Sequence, residues 1–136
     1  MADAESSFID QFDDNPFHRM LGITLAEQRA GYGRIKLERT ENTPTGIGGS
    51  VHGGVLASMV DIAMLVAVFA EMREDEVPAG TAELGITYLR PAMADEIFAS
   101  ARVIKRGRQL AMVEVEITEG DGRLCAKGRV LYAFRA

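Results

Sequence analysis

Polar and apolar positions fall into several short alternating runs and one long apolar run. In AMVEVEI, Val113, Val115 and Ile117 alternate with Glu114 and Glu116, the period of a strand with one wet face. GTAELGITYLR alternates too, with Ala82, Leu84, Ile86 and Tyr88 sharing a face. EIFASARVIK and LCAKGRVLYAF complete a set of four strand patterns, and Asp121-Gly122 before the last is a tight-hairpin signal. Earlier, Ile23 to Ala30 and Arg34 to Thr40 read as two strands, with Gly31-Tyr32-Gly33 supplying the turn between them. The loop ENTPTGIGGS follows. A helix pattern then runs from about Gly53 to Met72, apolar almost all round, and closes in EMREDE and VPAG. Near the start, SSFIDQFDD predicts a short helix capped by Ser6 or Ser7, and NPFHRMLG a turn with a second short helix. Residues 1–20 thus form a helical and turn segment packing on the rest.

Two strands, a buried helix and four more strands predict an α+β fold, with one helix lying on an antiparallel sheet. A helix without a polar face needs cover on most sides, so the sheet is expected to curl around it. Such a sheet keeps open edges, which pairing with a second copy would cover. At least a homodimer is expected.

The 136 residues contain no linker or repeat, so residues 1–136 read as a single domain. Hydrophobic residues make up 47% and charged residues 26%, a globular rather than disordered composition. The net charge of −5 argues against nucleic acid as partner, though not against a local basic patch for a small anion. The run Val55 to Ala70 contains Asp61 and is shorter than the ~20 residues a membrane span requires, so no membrane partner is expected. The acidic start lacks the basic and apolar regions of a signal peptide, and the lone Cys125 has no internal disulfide partner; both point to the cytoplasm. His18 and His52 lie far apart and there is no cysteine pair, so neither metal nor cofactor is expected.

Candidate chemistry gathers in GGSVHGGVLASMVDIAM. A carboxylate among apolar helix residues is costly unless paired or hydrogen-bonded. Asp61 therefore either faces a gap or caps a loop, or serves as base or nucleophile in a dry cleft. His52 stands where the glycine-rich loop becomes helix, as a structural hydrogen-bonder or a site residue. Nine residues separate it from Asp61, which is ~900° of helix and ~13 Å of rise. The two cannot touch within one helix, so a shared site would draw them from different subunits. Gly53 and Gly54 either serve a backbone turn or offer unpaired helix-start N–H groups to a carbonyl oxygen gaining charge.

With HGGVLASMVD, GITYLRPA, NPFHRMLGI and GDGRLCAKGRVLYAF together, the chain resembles the hotdog-fold thioesterases of the phenylacetyl-CoA thioesterase type over roughly residues 15–134. The resemblance implies a curved sheet around one central helix, and hydrolysis of an acyl-CoA thioester at a dimer interface, with a tetramer of two dimers as the fuller assembly. It implies that Asp61 acts as nucleophile or general base. Gly53 N–H would polarise the carbonyl beside Gly54, and His52 would orient that loop or assist at the thiolate. A hydroxyl residue upstream of ITY would hold the water or the carboxylate, and the matching position is Thr81. The family places an asparagine six residues before the histidine. Position 46 is glycine here, so either Asn42 reaches back or that role is absent. Arg90, and Arg106 and Arg108 of KRGR, are the cations expected to meet the CoA phosphates, unless KRGR is simply a solubilising hairpin. Two other readings stand beside hydrolysis. A hydratase or dehydratase of acyl thioesters would carry a GHFP-like loop, which is missing. A non-catalytic acyl-CoA-binding protein is compatible with Gly46.

Overall fold

The computed structural model describes residues 4–135. Among them the order is α1 (Ala4–Asp10), α2 (Pro16–Leu21), β1 (Ile23–Arg29), β2 (Tyr32–Glu38), α3 (Gly53–Phe69), β3 (Val77–Tyr88), β4 (Glu96–Arg106), β5 (Leu110–Glu119) and β6 (Leu124–Arg135), with 3-10 turns at Phe12–Asp14 and Ile47–Gly49. The strands form one antiparallel sheet in the order β1-β2-β4-β5-β6-β3. Helix α3 packs against β2, β4, β5, β6 and β3, which is the expected α+β hotdog arrangement.

The alternating runs face as their sequence dictates. Val113, Val115 and Ile117 are buried against α3, together with Ile35, Leu37, Ile97, Ala99 and Val130. From α3 the core takes Val55, Leu56, Met59, Val60, Ala63, Met64, Val66 and Ala67. The helix lies so close to the sheet that two strand positions tolerate no side chain. A Cβ on Gly33 would sit 2.6 Å from Val66 Cγ1, and one on Gly128 2.6 Å from Val60 Cγ1.

One stripe of α3 is less covered. Gly54 is exposed, and Ala57, Ser58, Asp61 and Leu65 are only partly buried. Spacings of three and four place these residues on one face. Beside that face runs β3, an edge strand with much of its length exposed.

Several boundaries differ from the sequence reading. The first hairpin turns on Ala30-Gly31, since Arg29 pairs with Tyr32. Gly31 takes φ +69, whereas Gly33 lies within β2, kept as glycine by the approach of Val66. Helix α1 begins at Ala4, so Ser6 and Ser7 lie inside it rather than at its cap. Helix α3 stops at Phe69 rather than Met72, where exposed Glu71, Arg73, Glu74 and Asp75 leave the sheet's cover.

The most consequential difference is a β-bulge in β3. Leu84 pairs with Val130 and Glu83 with Leu131, but Thr81 pairs with Tyr132, so Ala82 is an extra residue. Tyr132 and Val130 both point into the core. The bulge therefore turns Thr81, not Ala82, onto the helix-facing side shared with Leu84.

Gly128→Ala should destabilise the fold by about 1–3 kcal/mol, because Val60 and the strand must part. Denaturant unfolding checks this; an unchanged midpoint would mean that the helix moves aside freely.

Candidate active site

The two parts of GGSVHGGVLASMVDIAM open into two different clefts with no lining residue in common. The first lies at the start of α3. It has a volume of about 540 Å³ and is lined by the 46–53 loop on one side and Tyr88-Leu89-Arg90-Pro91-Ala92 on the other. His52 is the N-cap of α3, and its Nδ1 accepts the Gly54 N–H at 2.9 Å. The Nδ1 lone pair is thereby committed, which leaves Nε2 as the proton-bearing nitrogen of the neutral ring. Val55 N–H and Leu56 N–H both return to the His52 carbonyl, at 2.9 and 3.2 Å. Among the described residues, Gly53 N–H has no acceptor, and it carries the positive end of the helix dipole.

Neither Gly53 nor Gly54 has positive φ. What they share is a lack of room. A Cβ on Gly53 would lie 3.2 Å from the Tyr88 ring and hydroxyl, and one on Gly54 would lie 3.1 Å from His52 Nδ1. The Tyr88 hydroxyl donates to the Gly53 carbonyl at 2.6 Å.

The second cleft, also about 540 Å³, is lined by Phe8, Asn15, Phe17, His18, Ala57, Ser58, Asp61, Ile62, Leu65, Thr81 and Leu84. Its wall is largely apolar, and among the described residues Asp61 is its only carboxylate. Thr81 Oγ1 donates to Asp61 Oδ1 at 2.7 Å. This pairing answers how an acid is tolerated in the helix: it sits on the open stripe, with a hydroxyl supplied by the bulge. Oδ1 is engaged while Oδ2 remains able to take a proton.

The other residues named from sequence are placed differently. Arg90 lines the His52 cleft. Asn42 is exposed, and its loop is folded on itself by Thr40 and Thr43, with Asn42 N–H bonded to Thr40 Oγ1. Asn42 does not line the His52 cleft, whereas Gly46 does. Arg106 ends β4 with its guanidinium 2.5 Å from Glu76 and stacked 3.9 Å over the Phe134 ring. It is mostly buried and, like Arg108, lines neither cleft.

Four residues were not singled out from sequence as site components. Tyr88 was read only as a strand residue. Arg39 spans the lips of the first cleft, donating to Gly49 O and to Met93 O. Glu119 fixes the 91–95 loop from behind, accepting Met93 N–H at 2.7 Å and Ala94 N–H at 3.0 Å. His18 lines the Asp61 cleft and bonds through Nδ1 to the Phe12 carbonyl at 2.8 Å. The signal for His18 was present in NPFH, where Asn15 caps α2 by accepting the Phe17 and His18 N–H groups. Burial lowers the pKa of His18 below the ordinary 6.5, opposed by the Phe12 bond and by Asp13. Burial raises that of the Cys125 thiol, with Glu119 adding to the effect, which keeps it protonated and poorly nucleophilic.

Residues 48–126, which include His52, Gly53, Asp61, Thr81 and Tyr88, match the thioesterase superfamily. The chain belongs to the thioesterase superfamily. Human acyl-coenzyme A thioesterase 13 is 35% identical over 117 residues, covering 83% of this chain and 81% of the relative. The structure of zebrafish thioesterase superfamily member 2 superposes with a TM-score of 0.79 at 29% identity, covering 93% of each chain. The E. coli PaaI protein, from the phenylacetic acid degradation operon, shares the fold with a TM-score of 0.78 at 21% identity, covering 95% of this chain and 97% of that one. The apolar helix with its single acid and the His-Gly-Gly cap both lie within the matched residues.

The titration of His18 has a sign. Its folded pKa lies below the unfolded 6.5, so as pH falls below about 6.5 the unfolded chain takes up a proton first. The stability contributed by neutral His18 is complete above that pH and is lost as pH falls towards the folded value. The thermal midpoint should therefore drop between pH 7 and 5, and drop less in His18→Gln. Equal slopes in the two proteins would show that His18 charges without cost.

Proposed function

We propose that this protein hydrolyses acyl-CoA thioesters at a site formed between two subunits of a homodimer. The observation that carries the reading is the hydroxyl-held carboxylate, Asp61 with Thr81, facing an apolar cleft on the uncovered stripe of α3. Membership of the thioesterase superfamily and the likeness to human acyl-coenzyme A thioesterase 13 support acyl-CoA as the substrate class.

The thioester carbonyl accepts the Gly53 N–H, which stabilises the charge that develops on its oxygen. Asp61 of the partner subunit takes a proton from water through Oδ2, while the hydroxyl of Thr81 of the partner subunit donates to Oδ1 and accepts the water's other O–H. Water oxygen bonds to the acyl carbon and the C–S bond breaks. CoA leaves as thiolate, stabilised by a hydrogen bond from His52 Nε2–H, and takes up the proton that Asp61 removed from water, so the products are the free acid and the CoA thiol and Asp61 is again a carboxylate. The acyl group occupies the apolar cleft beside Asp61, and Arg90 faces the CoA side. Gly46 in place of an asparagine removes one polar contact near the carbonyl, so the Gly53 donor carries more of the polarisation. No cofactor takes part.

Dimer formation is supported by the open edge of β3 and the uncovered stripe of α3, which a second copy would cover together. A tetramer of two such dimers is the fuller assembly by resemblance. The single cysteine suits a reducing cytoplasm, and among the described residues no helix is long and apolar enough to cross a membrane.

Offered a panel of acyl-CoAs, the purified protein should release free thiol, and Asp61→Asn should lower kcat by ~10²–10⁴-fold. Full activity in that variant would sink the mechanism. Tight binding without turnover by the native protein would favour an acyl-CoA-binding role, and hydration of an enoyl-CoA would favour a hydratase.

A further inference from the structure

The peptide groups around the Gly53 N–H are held unusually completely. On its N-terminal side, the His52 carbonyl, which shares a peptide plane with that N–H, accepts both Val55 N–H and Leu56 N–H. On its C-terminal side, the 53–54 peptide is clamped at both ends. Its N–H is taken by His52 Nδ1 at 2.9 Å and its carbonyl by the Tyr88 hydroxyl at 2.6 Å. The His52 clamp is local, reaching two residues along the chain. Tyr88 comes from β3, thirty-five residues away, and is the tertiary restraint on this turn.

The Tyr88 side chain also has a specific reason to be where it is. Its ring and oxygen occupy the volume a Cβ on Gly53 would need, at 3.2 Å. Glycine at 53 and tyrosine at 88 are thus a matched pair: the missing side chain admits the ring, and the ring brings its hydroxyl onto the Gly53 carbonyl. Without that bond the first turn of α3 can fray, as helix ends do, and the direction of the Gly53 N–H becomes variable. A donor that stabilises developing charge works only if it is aimed before the reaction begins. The hydroxyl itself is spent on the carbonyl, which argues against a proton-transfer role for Tyr88.

We propose that Tyr88 is a positioning residue: its hydroxyl aims the Gly53 N–H at the thioester carbonyl. The inference rests on the thioesterase reading of the Gly53 cleft, and extends it to a residue of the opposite lip. It also links the two half-sites within one chain, because β3 carries Tyr88 at one end and Thr81 near the other. A displacement of this strand would alter both the carbonyl donor and the support of Asp61.

Tyr88→Phe is the discriminating variant, since it removes one oxygen and keeps the ring against Gly53. Two readouts are made on the full chain. First, amide hydrogen exchange without substrate should be faster by about tenfold at Gly54, whose N–H is held by His52 Nδ1, and unchanged in the buried middle of α3 from Met59 to Val66. Second, with whichever of hexanoyl-CoA and phenylacetyl-CoA the native protein cleaves faster, kcat should fall about tenfold while KM stays within about twofold. Exchange at Gly54 equal to that of the native chain would overturn the proposal. So would a loss confined to KM, which would make Tyr88 a simple contact for CoA. If the native protein cleaves neither thioester, the functional reading fails by that result, while the exchange experiment still decides whether Tyr88 holds the turn.

Discussion

Helix α3 has no polar side to turn towards water. Almost every position from Val55 to Val68 is apolar, and one sheet cannot surround a helix completely. The sheet therefore curls until all six strands touch α3, and close approach at Val60 and Val66 reduces the facing strand residues to Gly128 and Gly33. What remains uncovered is a narrow stripe, Gly54, Ala57, Ser58, Asp61 and Leu65, next to an edge strand. The fold and the site are two consequences of this one constraint. The stripe is where a second copy has something to cover, and it is where the only acid of the helix can survive.

The site consists of restraints on a few backbone and side-chain groups rather than of a dense charged cluster. Asp61 is held by one hydroxyl, and that hydroxyl is on the correct side of β3 only because Ala82 is bulged out. The His-Gly-Gly motif has a similarly plain physical reading. His52 caps the helix by reaching back to Gly54, and the two glycines make room for that ring and for Tyr88. Backbone strain has no part in it, since neither glycine needs a left-handed conformation. Around the same cleft, Arg39 and Glu119 grip opposite sides of the Met93 peptide groups and tie the two lips together.

The strands and the buried helix were legible in the chain because alternation and continuous apolarity report directly on which faces are covered. Val113, Val115 and Ile117 face inward just as their pattern states. Asp61 was legible as an oddity for the same reason. The β3 bulge was not: strict alternation puts Ala82 with Leu84, and nothing local in GTAEL marks the extra residue. Thr81 was therefore found by resemblance rather than by pattern. Gly33 was misread as a turn residue, because from sequence a glycine excluded by a neighbouring helix looks like one needed for a bend. Arg106 was read as a free cation in a loop, although it ends a strand and is spent on Glu76 and Phe134. Such errors have one origin. They concern contacts between residues distant along the chain, to which short-range periodicity is blind.

The central claim is that His52 and Gly53 of one subunit work with Asp61 of the other, and subunit mixing tests it most directly. His52→Ala and Asp61→Asn are each impaired, and after exchange half the dimers are mixed, each with one site built entirely from native residues. The account predicts recovery to about a quarter of the native activity, well above the mean of the two variants. Activity that stays at that mean, with mixed dimers demonstrated by mass, would contradict it.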